Sequence, residues 1–247
     1  MSGSRKSMMP AKITRSSAPG EPIDGILPAS QERSRAARER LLNAGESVFA
    51  RMGYNSAHVS DIASAAGCSV GSFYRRFRDK EALFRALHQK IIEQRRQRNE
   101  LFYARPELAD LPSAEVIRLF VKDILGDFKR NAGFIRALFQ RTLDDGNQDY
   151  WPEIREAAAL EGDGLARFLR ARGELKHSDT RHNCDFIVRV IEGTIVHAVL
   201  HAGNALKDEE RFLDDLARVA ARYLEVDGSS SLTAKGKMGG ATKASAR

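Results

Sequence analysis

The segment VSDIASAAGCSVGSFYRRF, residues 59–77, contains two short apolar helical patterns separated by a glycine. The first pattern covers 59–66, the second covers 70–77, and Gly67 begins the connection between them. A glycine in a tight turn between two helices is typical of the helix-turn-helix unit, whose second helix enters the major groove of DNA. The segment therefore predicts a DNA-binding domain of this kind.

The second helix of this unit has one apolar face and one polar face. Phe73 and Phe77 lie one turn apart and are predicted to be buried. The opposite face then carries Gly71, Tyr74, Arg75 and Arg78. Gly71 has no side chain to hold the backbone away from DNA, a tyrosine hydroxyl can donate to a phosphate, and an arginine can bind a guanine edge or a phosphate. This polar face is the predicted DNA-reading surface.

A set of residues in register extends the motif in both directions. They are Leu41-Leu42, Phe49, Gly53-Tyr54, Ile62-Ala63, the run Ala66 to Phe77, and Asp79-Lys80-Glu81-Ala82-Leu83. Together they resemble the N-terminal domain of TetR-family transcriptional regulators, over about 35–90. The resemblance implies an all-helical homodimer whose C-terminal helices form a ligand pocket and a dimer interface.

The resemblance also supplies candidate DNA contacts. Four residues match the usual DNA-contacting positions of the family: Gly71, Ser72, Tyr74 and Lys80. Ser69 is a predicted helix N-cap, and Lys80 begins the next helix, where free N–H groups attract an anion. The family commonly has a threonine where this chain has His58, and a histidine is a poor cap. The predicted DNA-contacting residues are His58, Ser60, Ser69, Val70, Gly71, Ser72, Tyr74, Arg75 and Lys80.

The charge distribution agrees with DNA binding by the front half of the chain. The 247 residues carry a net charge of +7. Residues 1–100 hold 18 Lys+Arg against 10 Asp+Glu, whereas residues 101–227 hold 18 against 23. The final segment, 228–247, adds four positive charges. A basic front half on an acidic rear half indicates that the front half contacts a polyanion.

The helical period continues over the rest of the chain and predicts an all-α fold of about nine helices. No alternating strand pattern occurs. Besides the short pair, helices are predicted over 31–52, 80–104, 116–128, 134–144, 152–171, 179–204 and 208–226. Gly53 is predicted to end the first helix, Asp79 to cap the fourth, Ser113 to cap the fifth, and Gly133 to mark a break. Arg95, Arg96 and Arg98 are predicted to form a solvated or interhelical ionic face rather than a DNA contact.

Composition and these helices divide the chain into four parts. Residues 1–30 are rich in proline, serine and glycine and are predicted to be a disordered arm, as is the basic tail 228–247. Residues 31–80 are the predicted helix-turn-helix domain, and 81–227 are the predicted helical ligand-binding and dimerisation domain.

The rear domain contains two further candidate sites. An aromatic-lined apolar cavity is the usual form of a ligand site, although aromatic residues at helical spacing are often plain core. The candidate ligand-binding residues are Phe102, Phe120, Ile124, Phe128, Leu138, Phe139 and Trp151. The helix at 179–204 is apolar over more than one stripe, which implies a second buried surface. The candidate dimer-interface residues are Val190, Gly193, Thr194, His197, Leu216, Ala220 and Tyr223.

Other functional classes find less support in the sequence. Gly67 to Gly71 satisfies the nucleophile-elbow pattern G-x-S-x-G, but that motif follows a strand in an α/β sheet. His197 and His201 are four residues apart, and two histidines do not complete a metal site. We therefore expect no catalysis, cofactor or metal. No apolar run is long enough to span a membrane, and two cysteines fit a reducing, cytoplasmic setting.

The sequence thus predicts a cytoplasmic, homodimeric repressor that binds double-stranded DNA at an inverted repeat and is released by an unidentified small apolar molecule. The alternatives that stay open are an all-helical ligand carrier or enzyme, and a transcriptional activator of the same fold.

Overall fold

A computed structural model describes residues 32–145, 149–174, 180–201 and 208–226 of the chain. The described part contains nine α-helices, one short 3-10 helix and no strand, which confirms the all-α class. The α-helices are α1 (Glu32–Ser56), α2 (Val59–Ala65), α3 (Val70–Tyr74), α4 (Lys80–Tyr103), α5 (Ser113–Arg130), α6 (Ala132–Asp145), α7 (Trp151–Ala171), α8 (Thr180–Leu200) and α9 (Glu209–Tyr223). The predicted arm 1–30 and tail 228–247 lie outside the described residues.

The helix boundaries around the DNA-binding unit follow from local sequence signals. Gly53 interrupts the end of α1 with a φ of 75°, and Gly67 turns the chain between α2 and α3 with a φ of 64°. Glycine adopts this left-handed region without steric cost. The Ser69 hydroxyl accepts a bond from the Ser72 N–H, and the Asp79 carboxylate accepts one from the Ala82 N–H. Both predicted N-caps are therefore confirmed.

Two apolar cores lie along the molecule. The first core joins α1, α2, α3, the beginning of α4 and α6, and it includes Phe49, Phe73, Phe84 and Phe134. The second core joins the end of α4 to α5, α7, α8 and α9. Since α4 contributes to both cores, it connects the DNA-binding unit to the rear helices.

Helix α6 packs against α1, and a glycine brings the two helices close together. A Cβ atom added to Gly133 would lie 2.1 Å from the Ala50 Cβ. The prediction that Gly133 marks a break was wrong, because this residue lies inside α6, one residue after the helix begins at Ala132. The glycine is needed here for packing between helices rather than for a turn.

The start of α5 also differs from the prediction. Pro112 is the N-cap, and Ser113 is the first residue of the helix, with its hydroxyl buried. A proline has no N–H and a fixed φ, so it fits the beginning of a helix without a side-chain cap.

Candidate DNA-binding surface and ligand cavity

Helix α3 presents its polar face to solvent. Phe73 and Phe77 are fully buried, as predicted, whereas Tyr74 is 50% exposed and Arg75 is exposed. Of the nine predicted DNA-contacting residues, seven are exposed and two, Ser72 and Lys80, are half-buried. Arg76, which follows the C-cap of α3, donates to both the carbonyl and the hydroxyl oxygen of Ser72 in the middle of that helix.

Lys80 has an intramolecular role that sequence reasoning missed. Its Nζ donates to the carbonyl oxygens of Tyr54, at 2.8 Å, and Ala57, at 2.9 Å. It also lies 4.3 Å from the centre of the Tyr54 ring. Burial and the charge of Arg141 lower the pKa of Lys80. The side chain therefore fastens the end of α1 to the beginning of α4, and only its third N–H remains for a phosphate.

His58 does not cap α2 with its side chain, in agreement with its poor capping chemistry. Instead, the Asp61 carboxylate accepts a bond of 2.9 Å from the His58 backbone N–H. The helix thus begins at the expected residue, while the imidazole of His58 is exposed.

A cavity of about 400 Å³ lies between α4, α5, α6, α7 and α8. Most of its walls are apolar or aromatic. The apolar lining residues are Ile91, Ile92, Phe128, Phe134, Ile135, Leu138, Phe139, Trp151, Ile154 and Val196. Its polar lining residues are His88, Arg95, Asp127, Asn131, Arg189 and Glu192. Arg189 and Gly193 of the lining are exposed, so the cavity opens along the outer side of α8.

The structure places four of the seven candidate ligand residues in this cavity: Phe128, Leu138, Phe139 and Trp151. The other three, Phe102, Phe120 and Ile124, do not line it; each is at most 2% exposed and packs in the second core. The expectation that they contact ligand is corrected accordingly. Phe102 stacks edge-on against Phe120 at the far end of α4, beyond the cavity.

A buried ionic cluster forms the inner end of the cavity. Arg95 binds Glu161 at 3.1 Å and also pairs with Glu192, while Arg98 pairs with Glu161. The predicted interhelical ionic face of α4 is therefore confirmed for Arg95 and Arg98. Burial opposes ionisation of Glu161, but the charges of Arg95 and Arg98 outweigh it and lower its pKa. For Glu192, burial together with the neighbouring Glu161 raises the pKa despite Arg95.

Sequence reasoning missed the polar residues of the cavity, although a signal was present. Glu192 stands between Ile191 and Ile195 among the buried residues of α8, and His88 follows Leu87 on the buried side of α4. A charged or titratable residue within an apolar stripe is expected to have a partner or a function.

Glu81 connects the DNA-binding unit to the rear helices. Its carboxylate accepts hydrogen bonds from the hydroxyls of Tyr54, at 2.9 Å, and Tyr150, at 2.5 Å, and pairs with Arg141. Burial opposes ionisation of Glu81, but these donors and the charge of Arg141 hold its pKa below the usual value. Tyr150 in turn packs its ring 4.9 Å from that of His88, which lines the cavity. A chain of contacts thus leads from the cavity to the first residues of α4.

The outer side of α8 and α9 exposes apolar residues. Phe186 is 42% exposed, Val219 is 53% exposed and Tyr223 is 39% exposed, and the rings of Phe186 and Tyr223 lie 5.3 Å apart. We call these three residues the α8/α9 apolar patch.

The candidate interface residues lie at different depths beside this patch. Gly193, Thr194, His197 and Tyr223 are exposed and Val190 is half-buried. Leu216 and Ala220 differ from the prediction, because they are 7% and 0% exposed and pack in the second core. An α9 residue that is fully covered by its own subunit cannot also contact a partner.

The candidate metal ligands show no complete site in the described ranges. The rings of His197 and His201 stack 4.6 Å apart, and no group of three or more His, Cys, Asp or Glu residues suited to a metal occurs among the described residues. No helix of that described part is long and apolar enough to cross a membrane.

Comparison with known families identifies the front of the chain. Residues 41–87 match the family model of bacterial regulatory proteins of the tetR family. The matched range includes α2, α3, the turn between them and the beginning of α4. It therefore contains most of the first core and the complete predicted reading surface, from His58 to Lys80.

Two bacterial relatives are transcriptional regulators by name. The chain is 29% identical over 112 residues to the HTH-type transcriptional regulator YerO of Bacillus subtilis, covering 45% of this chain and 38% of YerO. It is 27% identical over 171 residues to the HTH-type transcriptional repressor ComR of Escherichia coli, covering 65% of this chain and 79% of ComR. The alignment thus spans well under half the length of YerO.

Solved structures share the fold over most of the chain. A TetR-family transcriptional regulator from Mesorhizobium loti matches with a TM-score of 0.63 at 14% identity, covering 79% of this chain and 98% of that protein. FadR from Bacillus subtilis, solved in complex with stearoyl-CoA, matches with a TM-score of 0.52 at 23% identity, covering 77% of this chain and 98% of that protein. The rear helices therefore have the fold of these regulators.

Proposed function

Because residues 41–87 form a helix-turn-helix domain of the TetR family, we propose that the chain is a homodimeric transcriptional repressor that binds an inverted-repeat operator. In this proposal, α3 of each subunit enters a major groove, and a small molecule in the α4–α8 cavity lowers the affinity for DNA. The observation that carries the proposal is that α4 runs from the exposed polar helix α3 to a cavity of about 400 Å³.

The exposure of α3 supports DNA contact by the polar face of this helix. Val70, Tyr74 and Arg75 project outward while Phe73 anchors the helix in the first core. In a helix-turn-helix unit, the side chains at the beginning of the second helix contact base edges, and flanking groups bind phosphates. The role of Lys80 is then twofold, since its ammonium fixes α1 to α4 and offers one remaining donor to a phosphate.

The α8/α9 apolar patch supports a two-fold dimer. Exposed aromatic and aliphatic side chains on adjacent helices are typical of a protein interface. The open space around Gly193, where an added Cβ would meet nothing within 4 Å, gives room for a partner helix. A two-fold axis there would place the two α3 helices about one helical turn of DNA apart, ~34–36 Å, or a multiple of that.

A ligand would act by changing the equilibrium between two dimer geometries. The cavity contacts α4 at His88, Ile91 and Ile92, and α4 begins at Lys80 beside the reading helix. A ligand that binds one arrangement of α4 more tightly shifts the dimer toward it, with a coupling of typically 1–3 kcal/mol.

The test is selection of bound duplexes from a random library, followed by affinity measurement. We expect the selected sequences to contain an inverted repeat. Arg75→Ala should then weaken binding to that repeat by about 5- to 150-fold, if the guanidinium reads a base. Arg211→Ala is the matched control, since its side chain is 78% exposed on α9 and the charge change is the same. Selection of no preferred duplex, or equal effects of the two variants, would overturn the proposal.

A further inference from the structure

The inner end of the cavity contains more buried carboxylates than buried cations. Arg95 and Arg98 supply two positive charges from α4, with side chains 6% and 12% exposed. Facing them are Glu161 of α7, Glu192 of α8 and Asp127 of α5, with side chains 1%, 12% and 8% exposed. Among the residues that the structure describes, three buried carboxylates against two buried guanidinium groups leave one negative charge without a buried counter-ion.

The other charges near this cluster lie toward solvent. Arg189, which shares α8 with Glu192, is exposed and binds Asp185 at 2.9 Å. Arg130 reaches Asp127 at 3.2 Å with a side chain that is 66% exposed, so water screens that pair. Neither guanidinium provides Glu192 with a buried partner.

The ligand-free cluster resolves this excess by keeping a proton on Glu192. The carboxyls of Glu161 and Glu192 both pair with the Arg95 guanidinium, so two like charges lie close together, and a proton on one of them relieves their repulsion. Burial and Glu161 raise the pKa of Glu192, whereas the guanidinium groups of Arg95 and Arg98 act in the opposite direction. A cation placed beside Glu192 would replace that proton.

His88 provides a second polar group that lacks a partner. Its side chain is 3% exposed and lines the cavity, and its Nε2 has no hydrogen-bond partner within the described part of the chain. Burial and the charge of Arg95 lower the pKa of His88 to about 4, despite its hydrogen bond with the backbone of Tyr150. The ring is therefore neutral near pH 7 and presents a lone pair that accepts from an N–H donor.

The rest of the lining suits a cation with an apolar body. Phe128, Phe134, Phe139 and Trp151 contribute aromatic rings, and isoleucine and leucine side chains fill the space between them. A desolvated ammonium group near such ring faces gains cation–π attraction in addition to ion pairing.

We propose that the ligand of this cavity is a lipophilic amine in its protonated form, whose ammonium group pairs with Glu192 while its apolar body lies among the aromatic side chains. This inference rests on the proposed function in one respect: it takes the α4–α8 cavity to be the ligand site. Binding transfers the Glu192 proton to solvent, and the resulting carboxylate accepts an N–H of the ammonium. A carboxylate ligand would increase the excess of negative charge, and a neutral ligand would leave the proton in place.

The test uses three probes with the same apolar body: phenylbutylammonium, phenylbutanol and phenylbutanoate. Trp151 is the single tryptophan of the chain and lines the cavity, so its fluorescence reports occupancy directly. We expect the ammonium probe to bind at least about tenfold more tightly than the alcohol near pH 8, and the carboxylate to bind most weakly. Calorimetry in two buffers of different ionisation enthalpy counts the protons released.

The pH dependence has a definite sign. Below the raised pKa of Glu192, the ammonium probe must displace a proton, so its affinity should rise with pH by up to about tenfold per unit and then level off. The alcohol displaces no proton, and its affinity should stay constant over the same range. The measurement needs no substitution, so it decides the proposal even if a variant folds poorly.

Glu192→Gln is the substitution that isolates the charge, because glutamine keeps the size of the side chain and the neutral state of the ligand-free cluster. It should remove the preference for the ammonium probe and the proton release, while binding of the alcohol persists. Glu156→Gln is the matched control, since Glu156 is 54% exposed on α7 and does not line the cavity. It should behave as the wild type.

Equal affinities of the three probes, or tighter binding of the carboxylate, would overturn the proposal, as would proton release that survives Glu192→Gln. These results do not depend on DNA. A protein that binds its selected operator but prefers no ammonium probe would refute the ligand class alone, whereas a protein that prefers the ammonium probe but selects no duplex would refute the regulatory function alone.

Discussion

At the scale of single residues, the roles of Lys80 and Glu192 cannot be predicted from residue type alone. Lys80 is basic and stands beside the reading helix, yet two of its three donors bind the Tyr54 and Ala57 carbonyls. Glu192 is a charged residue on a helix, yet it lies against an apolar cavity. In both cases the neighbours on other helices determine which chemistry is available.

His88 should make the stability of the protein depend on pH. Its pKa is lowered from 6.5 to about 4 in the folded state by burial. The folded state thus favours the neutral ring, and the stability this contributes is complete above the unfolded value of 6.5 and is lost as the pH falls toward 4. Between pH 6.5 and about pH 4, we expect protonation of His88 to lower the free energy of unfolding by up to about 3 kcal/mol.

Urea unfolding at a series of pH values measures this loss, with His88→Gln to isolate it from the carboxylates. The difference in stability between wild type and His88→Gln should shrink as the pH falls below 6.5. His201→Gln, at an exposed residue, should parallel the wild type at every pH. A constant difference between wild type and His88→Gln would show that the imidazole does not titrate as proposed.

At the scale of elements, the contacts of α6 join the DNA-binding unit to the ligand cavity. Its residues Phe134 and Leu138 pack in the first core and also line the cavity. A movement of α6 caused by a ligand would therefore reach α1 directly, in addition to any movement of α4.

Gly133→Ala should disturb the packing of α6 against α1. The new Cβ would lie 2.1 Å from the Ala50 Cβ and 2.9 Å from the Ala50 Cα, so the helices must separate. We expect a loss of about 1–3 kcal/mol in the free energy of unfolding, the usual cost of overpacking.

Gly126→Ala provides the comparison, because its Cβ would meet only the flexible end of Arg130, at 3.4 Å. A helical alanine without a clash should stabilise the protein by about 0.5–1 kcal/mol. Thermal unfolding of both variants decides the point, and a Gly133→Ala protein as stable as Gly126→Ala would contradict the close approach.

Tyr150→Phe should weaken the coupling between the cavity and the DNA-binding unit. The change removes the hydroxyl that donates to Glu81 at 2.5 Å but keeps the ring beside His88 and Phe84. We expect the ligand-free variant to bind its operator about as well as the wild type, and a saturating ligand to release it less completely.

The readout is operator affinity with and without ligand, whose ratio gives the coupling free energy. Tyr103→Phe serves as the control, since Tyr103 is the last residue of α4 and packs against the second core, but does not line the cavity. Unchanged coupling in Tyr150→Phe would mean that the signal leaves the cavity by α4 or α6 alone.

At the scale of the whole molecule, the exposed side of α8 and α9 defines the proposed assembly. The α8/α9 apolar patch lies on the same side of α8 as the opening of the cavity at Gly193 and Arg189. A partner subunit on this face would border the entrance, so ligand entry and dimer geometry would be linked.

Val219→Glu should convert the dimer to monomers. The side chain is 53% exposed in one subunit, so the substitution leaves the fold of that subunit intact, whereas two facing carboxylates at a two-fold interface repel each other and lose their hydration. Leu143→Glu, at a leucine that is 82% exposed on α6, makes the same kind of change away from the patch. Sedimentation should show monomers for the first variant and dimers for the second; dimers for both would place the interface elsewhere.

The sequence by itself determined the features that depend on neighbouring residues. The turn at Gly67, the caps at Ser69 and Asp79 and the burial of Phe73 and Phe77 follow from backbone geometry and helical period, which act within one or two turns. For the same reason, the all-α class and the exposed face of α3 were predicted from spacing. The helices of the rear half were also predicted as helices, because the spacing of their apolar residues can be read from neighbouring residues alone.

Only the tertiary structure decided which helices face one another. Phe102 and Phe120 have the same aromatic character as Phe128 and Trp151, but the first two pack in the core and the last two line the cavity. Ala220 and Val219 are adjacent on α9, and one is buried while the other is exposed. Glu192 meets Arg95 across a separation of 97 residues. Such long-range contacts depend on the packing of whole helices, which a local period does not encode.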